Sequence, residues 1–274
     1  MQKKLAFFSK KSKIIRTMIK IDCIIQARMG STRLPGKVMM KVDKTNTILF
    51  YAVNQLKNSK KIDRIIIATT NLQEDDIIAN HAKIMKVDLF RGDALDVLDR
   101  YYQCAKKFSS RVIVRITADN PLIDPNIVDN VVEQFVKHSF DYISNASPRT
   151  FPYGTEVEVF SFQALEKAWN NAKKPSEREH VTPYFHNNKN KFKISSIKYS
   201  ENISHLRWTV DRKNDLKFVR KIVSEIKKRP ILMTDIIKLI SKDPKIISIN
   251  KTNIPDEGYL KSLKEDKLFK KQKS

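Results

Sequence analysis

The sequence predicts an α/β protein built on a mixed, mostly parallel sheet with helices on both faces. Three observations carry that expectation. Short β-branched runs alternate with amphipathic helical stretches from residue 21 to residue 226. The connections between them are short, as crossovers between parallel strands require. Several apolar runs end in polar residues, the pattern of a buried strand that delivers a loop to the carboxyl end of a sheet, where ligands sit in such folds.

The first run, Ile21, Cys23, Ile24 and Ile25, breaks into Gln26-Ala27-Arg28-Met29-Gly30-Ser31-Thr32-Arg33-Leu34-Pro35-Gly36-Lys37. Gly30 and Gly36 allow sharp turns and bring N–H groups close to a ligand. Arg28, Arg33 and Lys37 supply the charge that holds an anion, arginine through its bidentate fork. A basic surface loop is the plain alternative. The position directly after the first strand of an α/β pattern favours a phosphate site. The order is not that of a P-loop, because the Gly30-to-Lys37 spacing is wrong and Val38 follows the lysine.

Asn46 or Thr47 then caps a helix running to Leu56. A strand follows over 63–70, a helix over 74–85, a brief strand over 87–90 and a helix from Asp93 or Ala94 to Phe108. In that region Asp96 and Arg100 read as an exposed i,i+4 pair. The next strand, 111–116, runs into Thr117-Ala118-Asp119-Asn120-Pro121. An aspartate just past a buried strand and fixed by a following proline is placed to reach a metal, and Mg²⁺ takes carboxylate, phosphate and water oxygens. Asp124-Pro125 reads as a helix start.

A helix over 127–137 and a strand over 140–145 lead to the Pro/Gly-rich connection 145–154. Residues 155–160 alternate with period two, which puts Glu156 and Glu158 on one face, either toward solvent or toward substrate hydroxyl or amino groups. After a helix over 162–171, Ser176 and Glu179 stand in capping-box order. Arg178 there suits a grip on a carboxylate or phosphate, and His180 is a further candidate. Residues 192–199 read as a strand. Leu206 to Asp211 reads as a last short strand ending in an aspartate, followed by a helix from Asp215 to Ile226. Tyr259 to Ser274 reads as a mobile basic helix or tail.

The 274 residues carry a formal net charge of +23. The lysines are scattered, without the aromatic-interleaved basic stripe of nucleic-acid binders, so composition bias explains the charge better than a polyanionic partner. The two cysteines, Cys23 and Cys104, have no metal-type spacing and suggest no disulfide, as expected in a reducing cytoplasm. No apolar run approaches the ~20 residues that span a bilayer. No residue looks like a covalent nucleophile beside an activating base. The expected organisation is a basic extension over 1–19, one domain over 20–242 with an insert at about 145–200, and a basic tail over 243–274.

Several segments also carry a family resemblance: QARMGSTRLPGKV, RGDALDVLDRYY, RITADNPLIDP, SNASPRTFPYGTEVEVFS, EREHVTPY and LRWTVDRKNDLKFV, in order over most of the chain. They resemble the cytidylyltransferases of the CMP-Kdo and CMP-acylneuraminate synthetase type, most nearly the SpsF-like branch. The resemblance implies a Rossmann-like, three-layer (GT-A-like) nucleotidyltransferase fold. It implies transfer of CMP from CTP to a sugar acid or related acceptor, a sugar phosphate included, with release of pyrophosphate, in a homodimer. By the same resemblance, Gln26, Ala27, Arg28, Gly30, Ser31, Arg33 and Lys37 bind the nucleotide, with Arg91 and Gly92 near the nucleoside. Asp119 and Asp211 bind Mg²⁺. Glu156, Glu158, Arg178 and His180 lie on the acceptor side. Arg33, Lys37, Asp119 and Asp211 are the expected catalytic set. The segment Arg212-Lys213-Asn214 departs from the more usual Thr-Pro-Glu, and Ala118 stands where glycine is also common. Two other activities remain open on the sequence: an NDP-sugar or polyol-phosphate nucleotidylyltransferase, and a basic polyanion-binding protein.

Overall fold

The computed structural model describes residues 20–251 and 257–271; the expected extension over 1–19 lies outside them. Seven strands form one sheet: β1 (Ile21–Gln26), β2 (Arg64–Thr70), β3 (Asp88–Gly92), β4 (Val112–Thr117), β5 (Tyr142–Ser144), β6 (Glu158–Ser161) and β7 (Ile194–Ser196). Their order is β3-β2-β1-β4-β6-β5-β7. β6 runs antiparallel to both its neighbours, and the other pairings are parallel. Ile24, Ile25, Ile66 and Ile67 are fully buried. Each contributes roughly 1.5–3 kcal/mol by leaving water, which is why consecutive apolar residues specify these as central strands.

Ten helices are described: α1 (Ile48–Leu56), α2 (Asp76–Ile84), α3 (Val97–Lys107), α4 (Pro125–His138), α5 (Phe162–Asn171), α6 (Pro175–His180), α7 (Pro183–Asn187), α8 (Lys213–Glu225), α9 (Met233–Lys242) and α10 (Glu257–Lys271). One sheet face, with Cys23, Ile25, Val114 and Val159, packs against α1, α4, α8 and α9. The other, with Ile24, Ile113, Tyr142 and Phe160, packs against α3, α5 and Phe185 of α7. This gives the three layers expected. The caps follow local chemistry: Thr47 accepts from the Phe50 amide (3.1 Å), and Asp124 accepts from Asn126 (2.7 Å) with Pro125 opening α4.

Four local readings are corrected. Residues 206–211 form no strand of the sheet; the segment is extended and makes one isolated bridge, Tyr153 to Arg207. Gly154 explains how it comes so close: at φ +106 its missing side chain leaves room for the Thr209 amide, which would lie 2.4 Å from a Cβ. Asp96 and Arg100 are not an exposed pair. Asp96 caps α3 and binds Arg178, whereas Arg100 is buried with Nη1 on the Asp93 carbonyl. Ser176 does not cap α6. Glu177 reaches back to the Lys174 amide (3.3 Å), and Ser176 turns to Asp266.

The fourth correction concerns the expected mobility of the C-terminal segment, whose helical alternative is the one observed. Residues 257–271 are a helix docked on α6. Ser176 donates to Asp266 through its amide (2.9 Å) and hydroxyl (2.6 Å), both buried. Ser262 Oγ donates to Glu179 (2.6 Å) and lies 2.9 Å from His180 Nε2. Asp266→Ala strands two buried donors and is expected to lower unfolding free energy by about 2–3 kcal/mol. Urea titration of the two proteins checks this; an unchanged midpoint would mean that α10 is not held by this contact.

Candidate active site

The parallel register sets Gln26, Ala68 and Thr117 side by side, so the loops after β1, β2 and β4 leave the sheet together. The loop after β1 is fixed from below. The Met29 amide donates to Asp75 (2.7 Å), and Asp75 also accepts from Thr70. Gly36 has φ +68 and its amide donates to the Met29 carbonyl (2.9 Å), closing the loop; here glycine is needed. Gly30 lacks the positive φ of Gly36 but stands at the centre of a tight turn, the Ser31 amide donating to the Met29 carbonyl (2.8 Å), and lies beside Glu74.

The loop after β4 is joined to the 206–211 segment by backbone hydrogen bonding. Val210 N donates to the Asp119 carbonyl (2.9 Å), and Thr209 Oγ1 reaches the same oxygen (3.3 Å). This brings two carboxylates, 92 positions apart in sequence numbering (211 − 119), to one ammonium. Lys37 Nζ donates to Asp119 Oδ2 (2.6 Å) and Asp211 Oδ1 (2.8 Å). Arg33 Nη2 also binds Asp211 Oδ1 (2.5 Å), and Arg207 Nη2 binds Oδ2 (2.7 Å). Arg33, Lys37, Asp119 and Asp211 thus converge as a unit.

Lys37 is only 8 % exposed. Burial opposes its charge, but Asp119 and Asp211 outweigh this and raise its pKa. Burial likewise opposes the Asp211 carboxylate, but Lys37 and Arg33 hold it well below the ordinary 3.8. A carboxyl whose folded pKa is depressed contributes stability that is fully present above its unfolded value and is lost as pH falls below it. Asp211→Asn should therefore flatten the acid limb of the stability–pH curve below about pH 4, read by urea unfolding at successive pH values. A limb as steep as that of the wild type would sink the assignment.

The remaining expected residues are placed as follows. Gln26 Oε1 accepts from Arg115 (2.9 Å), and Ala27 is buried beside β2, its amide on Ala68. Arg28 Nη1 donates to the Ala94 carbonyl (3.1 Å) and lies 3.8 Å from Glu179. Ser31 stays in the loop, its hydroxyl near the Leu34 amide (3.4 Å). Arg91 donates to the Thr70 and Leu72 carbonyls and to Asp76, and Gly92 lies against Phe90 and Arg100; neither is brought to the Lys37 cluster.

On the acceptor side each expected residue is engaged by another protein group. Because β6 is reversed, its first residue, Glu158, arrives at the same sheet end as Arg115 and pairs with it; Tyr142 OH donates to the other oxygen (2.6 Å). Burial opposes the Glu158 charge, but Arg115 holds its pKa below the ordinary value. Glu156 pairs with Arg149 and accepts from the Gly154 amide (2.9 Å). Neither carboxylate simply faces water. Arg178 is committed to Asp96 and the Trp169 carbonyl (2.9 Å), tying α6 to α3. His180 meets Ser262 and the edge of Tyr259, and burial lowers its pKa. Val181, fully buried at φ +70, makes the turn that separates α6 from α7, a conformation a β-branched residue adopts only when its surroundings impose it.

The sequence reading missed Arg207, Asn250 and Glu257. Arg207 also binds Asp215 (3.1 Å), which accepts from Asn250 (3.0 Å); Glu257 sits on Arg212 (2.9 Å) and near Arg33 (3.9 Å). The Asp211–Asp215 spacing around a helix start was the only local signal.

The cytidylyltransferase family model matches residues 23–271. The chain belongs to the cytidylyltransferase family. Like that family, it is a CTP-dependent nucleotidyltransferase. The cytidylyltransferase is 41% identical over 243 residues to an uncharacterized protein of Methanocaldococcus jannaschii, covering 88% of this chain and 98% of that one. It is 32% identical over 234 residues to the spore coat polysaccharide biosynthesis protein SpsF of Bacillus subtilis (81% and 94%). It superposes with a TM-score of 0.81 and 36% identity on a cytidylyltransferase from Leptospira borgpetersenii, over 86% of this chain and 98% of that one. Among the described residues no helix is long and apolar enough to cross a membrane.

Proposed function

We propose that this cytidylyltransferase moves CMP from CTP to an oxygen of a sugar acid or a related sugar phosphate, for polysaccharide or glycoconjugate synthesis, as a cytoplasmic homodimer. The observation that carries this reading is the Lys37 ammonium held between Asp119 and Asp211 at the mouth of a cationic loop. The acceptor oxygen forms a bond to the α-phosphorus, the bond from that phosphorus to the β-phosphate oxygen breaks, and pyrophosphate leaves; a hydroxyl acceptor gives up its proton. In this reading Arg33 and Lys37 turn from the carboxylates to the incoming phosphates, holding them and offsetting charge on the leaving group.

The residues also fit a magnesium ion. Two carboxylate oxygens already face a single positive centre at 2.6 and 2.8 Å, and no third carboxylate, His or Cys joins them among the described residues. That donor set suits Mg²⁺, which takes one or two carboxylates and completes its shell with phosphate and water, and not a metal held in an all-protein cage. Bound by Asp119 and Asp211, it would supply charge neutralisation on the triphosphate. Dimers are the commonest closed oligomers, and light scattering in solution reads this directly. The deciding experiment is pyrophosphate release from CTP, UTP, GTP, ATP and dTTP against a panel of sugar acids and sugar phosphates. Turnover with CTP and a sugar acid is expected. Turnover confined to another nucleotide and a sugar 1-phosphate would replace this reading with NDP-sugar synthesis.

A further inference from the structure

Asp211 is gripped on both oxygens, but the three cations that grip it are not equivalent. Arg33 reaches Oδ1 through one nitrogen from an irregular loop, and its side chain is 26% exposed. Lys37 shares its ammonium between two carboxylates. Both are free to exchange a carboxylate for phosphate oxygens. Arg207 is not. Its Nε donates to Asp215 (3.1 Å) while Nη2 donates to Asp211 Oδ2 (2.7 Å), so the planar fork spans both acids. Asp215 is fully buried and is itself pinned, accepting from the backbone amides of Asp211 (3.0 Å) and Arg212 (2.9 Å). Asn250 closes the ring from beyond α9. Its Nδ2 donates to Asp215 Oδ1 (3.0 Å) and to the Arg207 carbonyl (3.0 Å). The guanidinium carbon also lies 4.7 Å over the Tyr153 ring, whose backbone is bonded to both Leu206 and Trp208.

We propose that Arg207, clamped by Asp215 and Asn250, is a positioning residue that keeps Asp211 Oδ2 occupied and presents Oδ1 alone to the nucleotide and its cation. The inference rests on the proposed metal role of Asp211. A carboxylate left to rotate would offer either oxygen and spend part of its binding on the rearrangement. A partner that orients a metal-binding carboxylate is worth about 10–100-fold in metal affinity.

The test is Mn²⁺ binding followed by electron paramagnetic resonance in the presence of CTP, together with kcat and KM. It compares wild type, Arg207→Met, Arg207→Lys, Asn250→Ala and Asp211→Asn. Arg207→Met should weaken Mn²⁺ binding about 10-fold or more, lower kcat, and change KM for CTP less. Arg207→Lys, which keeps a charge but not the fork, should restore part of the loss, and Asn250→Ala should fall between. If Arg207→Met is too unstable to titrate, Arg207→Lys and Asn250→Ala carry the same comparison. Wild-type Mn²⁺ affinity in the Arg207 and Asn250 variants, with only a lower melting temperature, overturns the proposal while Asp211→Asn still loses the metal. Wild-type Mn²⁺ affinity in Asp211→Asn overturns the metal reading itself.

Discussion

Asp211→Asn is expected to lower pyrophosphate release from CTP by about 10²–10³-fold with the fold intact, and Asp119→Asn to do nearly the same. Each substitution keeps the shape of the side chain and removes one of the two charges that face Lys37. Losing one preorganised electrostatic partner at a reacting phosphate carries a cost of that order. The two effects should not add, because both carboxylates serve one centre; the double variant should be little slower than the worse single one. Circular dichroism verifies the fold and a coupled pyrophosphate assay reads the rate. A rate within threefold of wild type for either variant would remove that aspartate from the catalytic set.

Lys37→Met should be damaging twice over. In the folded protein it leaves Asp119 and Asp211 facing each other with their shared cation gone, although Arg33 and Arg207 still hold Asp211. Breaking one side of a largely buried pair typically costs about 3–5 kcal/mol, and the remaining arginines should reduce this to about 2–3 kcal/mol. The deficit should shrink at acidic pH, where the carboxyls take up protons. The rate should fall by about 10²–10³-fold as well, since the same ammonium is the one poised for the phosphates. Lys37→Arg should not rescue it, because a planar fork cannot occupy a point between oxygens 2.6 and 2.8 Å away as a compact ammonium does. Urea unfolding and initial rates separate the two effects. Stability equal to wild type would mean that the carboxylates find other partners unaided.

The parts of the site that were legible in the sequence are those set by local chemistry. The loop from Gln26 to Lys37 declares itself by following a mostly apolar strand, and Asp119 by standing just past another. The partners of the acceptor-side charges are not legible in the sequence, for a physical reason. A charged side chain announces its charge but not its partner: Arg178 reads as a grip for a ligand, yet Asp96 lies within reach and takes it. Arg91, expected near the nucleoside, likewise donates to the carbonyls of Thr70 and Leu72. The sequence leaves the C-terminal segment as a mobile basic helix or tail, and its docking is not legible because the residues it buries are polar. Ser262 and Asp266, four apart, look like a solvent-facing stripe until Ser176, Glu179 and His180 are placed opposite them.

By itself, then, the sequence determined the α/β class, the central strands, a helix cap at Asn46 or Thr47, which the structure assigns to Thr47, the cap at Asp124, and the cationic loop. Each follows from side-chain periodicity or from hydrogen bonds that span only a few residues. Only the tertiary structure decided what the charges do. Reversal of β6 carries Glu158 to Arg115, and the bond from Val210 to the Asp119 carbonyl carries Asp211 to Lys37. Asn250 joins Arg207 and Asp215 only because the chain beyond α9 folds back against their stretch. A long-range ion pair is fixed by distance in space, and the separation of its partners along the chain does not encode that distance.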